Sequence, residues 1–188
     1  MSEMLDFPQL CAESKQLSGL TPQDEATLRE LAALIVPALD AVTERFYSTL
    51  AAVPRTAAFI EGRVEMLKKT HRAWLESLFT RDLDAEYAQW MYQIGAVHVR
   101  VNLPVEFMTA GMSLVLRELL LLLGSSGSLD AEAKMRGGAA IGSVCGFSQL
   151  LMQKSYDSGK LAGELEKFLK ITGMSRKLFD NLASAYKD

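Results

Sequence analysis

The stretch DAEYAQWMYQIGAVHVRVNLP, Asp84 to Pro104, decides how this chain is read. Tyr87, Met91, Ile94 and His98 follow one another at intervals of four, three and four, so a helix would carry all four on one face. An aspartate, Asp82 or Asp84, caps that helix, and it ends near Asn102, with Pro104 starting the next. His98 therefore points where the apolar residues point. A buried imidazole needs a partner for each ring nitrogen, from hydrogen bonds, a metal, or one of each. A satisfied core histidine and a metal ligand both fit the stripe.

The second of the two histidines repeats the arrangement. Val64, Leu67, His71, Trp74 and Leu78 are spaced three, four, three and four, on a helix expected from Gly62 to about Phe79. Two such helices on opposite sides of a flat cofactor would aim both imidazoles at one iron. The alternative for His71 is a hydrogen bond to a backbone carbonyl. Tyr47 lies one position after the stripe Leu39, Val42, Phe46, Leu50. At that edge its hydroxyl reaches a pocket, or it is an ordinary boundary tyrosine.

Outward from these segments everything reads as helix, rich in Ala, Leu, Glu, Met and Lys, with no alternating run of β-branched residues. Thr21-Pro22 with Asp24 and Glu25 starts a helix that Pro37 interrupts. The next piece runs to about Leu50 and ends at Val53-Pro54, followed by a short turn from Arg55 to Ile60. A helix from Pro104 closes at Gly124, and GSSGSLD, Gly124 to Asp130, is the clearest loop. The following helix runs to about Asp157, and after Ser158-Gly159 a polar-faced helix is expected from Leu161 to Tyr186. Gly137, Gly138, Gly142, Ser143, Cys145 and Gly146 lie inside a helix pattern and suit a close helix crossing or a homodimer seam.

A net charge of −3 gives no footing for a nucleic-acid or anionic-membrane partner. Cys11 and Cys145 match no metal or redox spacing and are expected as free thiols in a reducing cytosol. MSEMLDFPQL lacks the basic and apolar regions of a signal peptide, and Leu114 to Leu123, interrupted by Arg117 and Glu118, falls short of a membrane span. The expectation is a cytoplasmic protein. No glycine-rich phosphate loop, CxxC pair or Gly-x-Ser-x-Gly elbow is present.

IGAVHVRVNLP, Ile94 to Pro104, resembles the proximal segment of globin-coupled sensors: His98 and Arg100 match its histidine and arginine, Leu103-Pro104 its turn. RFYSTLAAVP, Arg45 to Pro54, is similar to the distal segment whose Phe-Tyr pair sets a tyrosine above the haem, and Tyr47 matches that tyrosine. VEMLKKTHRAWLESLFT, Val64 to Thr80, resembles the distal-side helix. Phe107 keeps an aromatic residue common in the family, Met108 does not, and His71 stands where many relatives are apolar.

The resemblance implies an all-α globin fold: an N-terminal extension over 1–20, a haem-binding sensor globin over 21–157, and a C-terminal helical tail or linker stub over 158–188. It implies haem b held by His98 through one ring nitrogen, the other bonded to a backbone carbonyl or hydroxyl. Phe46, Tyr47, Leu67, Thr70, Ile94, Val101 and Phe107 would line the cofactor, and His71 would be a candidate second axial ligand. The implied function is sensing of O2, CO or NO, or of redox state, rather than catalysis. The implied assembly is a homodimer through the last two globin helices, signalling to a separate or deleted output domain. A haem enzyme, dioxygenase or peroxidase-like, and a haem-free globin-like signalling module are the alternatives.

Overall fold

Helices begin where side chains can take up the first unpaired amides. Thr21 and Asp24 form a reciprocal capping box, Asp24 N donating to Thr21 Oγ1 at 3.2 Å and Thr21 N to Asp24 Oδ2 at 2.9 Å. Tyr87 N donates to Asp84 Oδ1 at 3.0 Å, and Ala133 N to Asp130 Oδ1 at 2.7 Å. In this computed structural model, which describes residues 5–185, the helices are α1 (Phe7–Ser18), α2 (Pro22–Ile35), α3 (Leu39–Ala52), α4 (Pro54–Ile60), α5 (Val64–Thr80), α6 (Ala85–Arg100), α7 (Val105–Ser125), α8 (Ala131–Thr172) and α9 (Arg176–Ala185). Pro37 sits in a 3-10 turn, Val36–Ala38, between α2 and α3. Among the described residues there is no strand.

α8 is the central element, with α1, α2, α6 and α7 packed along it, while α5 rests on α2 and α3. Leu28, Ile35, Leu39, Leu75, Phe79, Met91, Leu119, Ile141 and Phe147 are almost wholly buried between these layers. α6 and α8 run in the same direction where they cross. The Tyr87 ring stacks on Phe147 at 5.9 Å and its hydroxyl meets Ser148 Oγ at 3.2 Å, and further along both helices Gly95 abuts Met152 and Ser155. A Cβ at Gly95 would lie 2.9 Å from Met152 Cα, with the Met152 carbonyl oxygen and Ser155 Oγ closer still. Only glycine lets the backbones approach that far.

Several expectations change. The N-terminal stretch set apart as an extension is helical from Phe7 to Ser18 and packs on α6 and α8, with Cys11 Sγ donating to Leu83 O at 3.6 Å and Phe7 against Tyr92 at 5.7 Å. The helix expected to stop at Ser158-Gly159 continues to Thr172 and is capped by Gly173 in the left-handed region, φ 67°. One glycine weakens a helix by only about 1 kcal/mol. The tail therefore begins a new helix at Arg176, not Leu161; residues 186–188 lie outside those described.

α7 spans the stretch expected between Pro104 and Gly124 to within a residue, reaching well beyond the apolar run Leu114 to Leu123. Its 21 residues are long and apolar enough to cross a membrane by length and composition. In the fold one face carries the core residues Met108, Met112, Val115, Leu119 and Leu123. Glu118, also buried, is paired with Arg45 of α3 and with Arg117. Gly137 makes the expected close crossing within the chain, a Cβ there lying 3.0 Å from Leu31 and 3.1 Å from Leu123; Gly142 has nothing within 4 Å.

Candidate functional site

The two histidines come from helices anchored to different parts of the molecule, α5 on α2 and α3, α6 on α1 and α8. His71 lies in an aromatic nest. Phe46 stacks on its ring at 4.3 Å and 19°, Tyr47 meets it edge-on at 5.5 Å, and Trp74 lies 5.5 Å away. Its Nδ1 stands 3.2 Å from the hydroxyl of Thr43, while its Nε2 is buried with no partner. Burial lowers its pKa to about 4, so the ring is neutral at pH 7. If Nδ1 carries the proton and donates to Thr43 Oγ1, Nε2 presents a free lone pair.

His98 sits in the last turn of α6, its carbonyl accepting from Leu103 N at 2.9 Å. Asn102, at φ 55°, makes the left-handed turn that ends the helix. The expected bond from the second ring nitrogen to a carbonyl or hydroxyl is not formed by Nδ1, which is buried without a partner. Burial lowers the pKa of His98 too, favouring the neutral ring. Among the described residues no group of three or more His, Cys, Asp or Glu is placed to hold a bare metal ion. The two imidazoles thus lack the companions of a protein-only metal centre, and suit a group that brings its own equatorial donors.

The model of the protoglobin family matches residues 8–160. The chain belongs to the protoglobin family. Its fold is also similar to that of solved structures. The globin domain of the Geobacter sulfurreducens globin-coupled sensor superposes with a TM-score of 0.72 at 27% identity, over 77% of this chain and 96% of that one. The globin domain of E. coli DosC, in ferric form, gives 0.66 at 20% identity over 78% and 99%. Its ferrous form gives 0.64 at 20% over 77% and 99%. No curated protein matches. The protein is thus an all-α globin domain of the type found in sensors.

Within this protoglobin fold the structure brings only some of the residues expected from sequence together. Phe46, Tyr47 and His71 form one contact cluster, and the Phe46 ring lies 3.5 Å from where a Gly111 Cβ would stand, which brings α7 to the same place. Tyr47, expected at the edge of its stripe, is buried at 7% exposure, and burial pushes its hydroxyl up to about 12, so it stays a neutral donor. Leu67, Ile94 and Phe107 are half-buried, Phe107 meeting Phe59 at 6.1 Å beneath the Arg55 guanidinium at 4.8 Å. Two others stand apart from this cluster. Thr70 is exposed and donates to Leu67 O of its own helix at 3.0 Å, and Val101 is exposed at the end of α6.

Sequence reasoning missed Thr43, Gly95 and Tyr156. Thr43 had a signal, since it precedes Tyr47 by four residues and shares its helix face. Tyr156 had none. Its hydroxyl is buried without a partner, and burial together with the Glu106 carboxylate pushes it up to about 12.

Proposed function

We propose that this protein is a haem-based sensor of a diatomic gas or of redox state, with the iron of haem b held by His98. The observation that carries the reading is the pair of neutral imidazoles on the inward stripes of α5 and α6, with His71 Nε2 buried and unpaired in an aromatic nest. A buried polar atom left without a partner is destabilising by about 1–3 kcal/mol, so His71 Nε2 calls for a ligand. When bound, the haem supplies an iron that changes oxidation state and takes a diatomic molecule. The resemblance to the globin domain of a globin-coupled sensor supports the sensor assignment over a catalytic one.

The chain's own groups then divide the work. His98 offers Nε2 to the metal, and the close α6–α8 crossing holds its helix in place. Phe46, Leu67, Ile94, Val101 and Phe107 give apolar surface to the porphyrin, at roughly 25 cal/mol per Å² removed from water. Tyr47 keeps its proton at any physiological pH and can donate it to a ligand of partial negative charge. His71, with Nε2 free and Nδ1 oriented by Thr43, would offer a second nitrogen to the haem iron in at least one oxidation state and so compete with an incoming gas.

The protein would act in the cytoplasm as a homodimer through α7 and α8, where Leu120, Leu121 and Met135 are exposed. Sensing would shift the balance between two arrangements of that dimer and so reach an output partner or domain.

Absorption spectra of the ferric, ferrous and CO-exposed protein test the assignment. The wild type should show a Soret band that His98→Ala loses or shifts, and His71→Leu should change the spectrum of at least one oxidation state. A colourless wild type, or a His98→Ala variant with unaltered colour, overturns the role of His98. Unchanged His71→Leu spectra would remove His71 from the iron.

A further inference from the structure

We infer that, once His98 holds the haem, the Tyr156 hydroxyl accepts a hydrogen bond from His98 Nδ1, a bond not made in this structure, and so is a positioning residue for the proximal ligand. The inference rests on the assignment of His98 to the iron. Once Nε2 is committed to a metal, Nδ1 must carry the ring proton and needs an acceptor. No protein group takes it: the atom is buried and unpaired. The Tyr156 hydroxyl is also buried and unpaired, and a phenol oxygen can accept. One chain thus buries a donor lacking an acceptor and an acceptor lacking a donor.

The register of α6 on α8 brings them to the same level. Tyr87 meets Phe147 and Ser148, and eight residues later Gly95 meets Met152 and Ser155. Three further residues along α6 reach His98. The matching step along α8 passes Ser155, whose hydroxyl already donates to Met152 O at 2.6 Å, and arrives at Tyr156, one turn beyond Met152. The contact at Gly95 fixes this register, because the backbones there are too close to slide past one another. Glu106, in the first turn of α7, lies near the same hydroxyl, so the end of α6, the start of α7 and Tyr156 converge. Glu106 is itself paired with Arg55 at 3.6 Å.

An acceptor on Nδ1–H makes the opposite nitrogen a stronger donor, which tightens the bond to iron and favours the ferric state. Tyr156→Phe keeps the ring and removes only the oxygen. In the haem-loaded protein it should raise the ferric/ferrous midpoint potential and speed haem transfer to excess apomyoglobin about tenfold. In a His71→Leu background, where the distal position is open, it should also lower the ferrous iron–histidine stretching frequency in the resonance Raman spectrum. Tyr87→Phe is the control, a buried tyrosine on the same helix pair whose hydroxyl is bonded to Ser148. It should leave potential and stretching frequency unchanged.

If Tyr156→Phe matches the wild type in all three readouts, the inference is wrong. It is equally overturned if Tyr156→Phe only destabilises the fold while the iron–histidine stretch stays put. Retention of haem by His98→Ala would instead bring down the assignment beneath it, an outcome read independently of Tyr156.

Discussion

Each histidine helix has two unlike halves. In α5, Trp74, Leu75, Leu78 and Phe79 are buried, while Val64 and Leu67 are half-buried and Met66 is 56% exposed. In α6, Tyr87, Ala88 and Met91 are buried, while Ile94 and His98 are half-buried and Val97 is 48% exposed. Polar groups divide along the same line. Tyr87 has Ser148, and Ser77 Oγ donates to Trp74 O at 2.6 Å, whereas Nε2 of His71 and Nδ1 of His98 have nothing. The Trp74 indole N–H, also unpaired, marks the border. One half of each stripe thus closes a core against its own chain. The other half, with the same periodicity, offers apolar surface and neutral imidazoles, which are what a ligand needs.

The two halves should respond differently to truncation. Phe79→Ala, at 1% exposure, should destabilise the haem-free protein by about 4 kcal/mol, as deletion of a buried aromatic does. Leu67→Ala, half-buried on the same helix, should lose only about 1 kcal/mol of side-chain burial, yet weaken haem retention. Urea melts of both variants measure the first effect, and haem transfer to apomyoglobin the second. Equal losses in urea would erase the distinction between core and site.

Acid should expose the same contrast. The folded pKa of His71, about 4, lies below the ordinary value of 6.5, so the unfolded chain takes up the proton first. Stability present above pH 6.5 is therefore lost as pH falls toward 4, by about 3 kcal/mol for this histidine. His98 acts in the same direction. In the haem-free protein His71→Leu should flatten the slope between those limits. A slope equal to that of the wild type would mean that His71 is solvated.

How much of this was legible follows from where each signal lives. Stripes and caps are local, so the helices bearing His71 and His98, the starts at Thr21, Asp84 and Asp130, and the loop before Asp130 could be read directly. The matched segments around Tyr47, His71 and His98 carried the globin fold. α1 escaped because its buried residues include Cys11 and Ser14, which make no strong apolar stripe. Glycine was legible in part. Gly137 makes the close crossing its helix pattern suggested, but Gly142 has open space and Gly146 only a Ser18 contact at 3.5 Å, while the tightest approach is at Gly95. Which turn of α8 faces α6 is a tertiary fact, and Tyr156 depends on it entirely. Gly95→Ala should accordingly destabilise by about 2 kcal/mol through overpacking, seen as a lowered urea midpoint. A neutral Gly95→Ala would mean that α6 and α8 are not locked there.

The smallest effect bears on the best-satisfied polar group of the buried half. Tyr87→Phe removes the bond to Ser148 and leaves a serine hydroxyl at 0% exposure without that partner. Net hydrogen bonds of this kind contribute about 1 kcal/mol. A loss of that size in urea, with no change in the haem spectrum, is expected because the Tyr87 ring stays packed on Phe147 and the register of α6 on α8 is held by Gly95. A spectral change in Tyr87→Phe would mean that the deep end of the crossing reports directly on the histidine eleven residues away, and the two halves of α6 would then have to be treated as one mechanical unit.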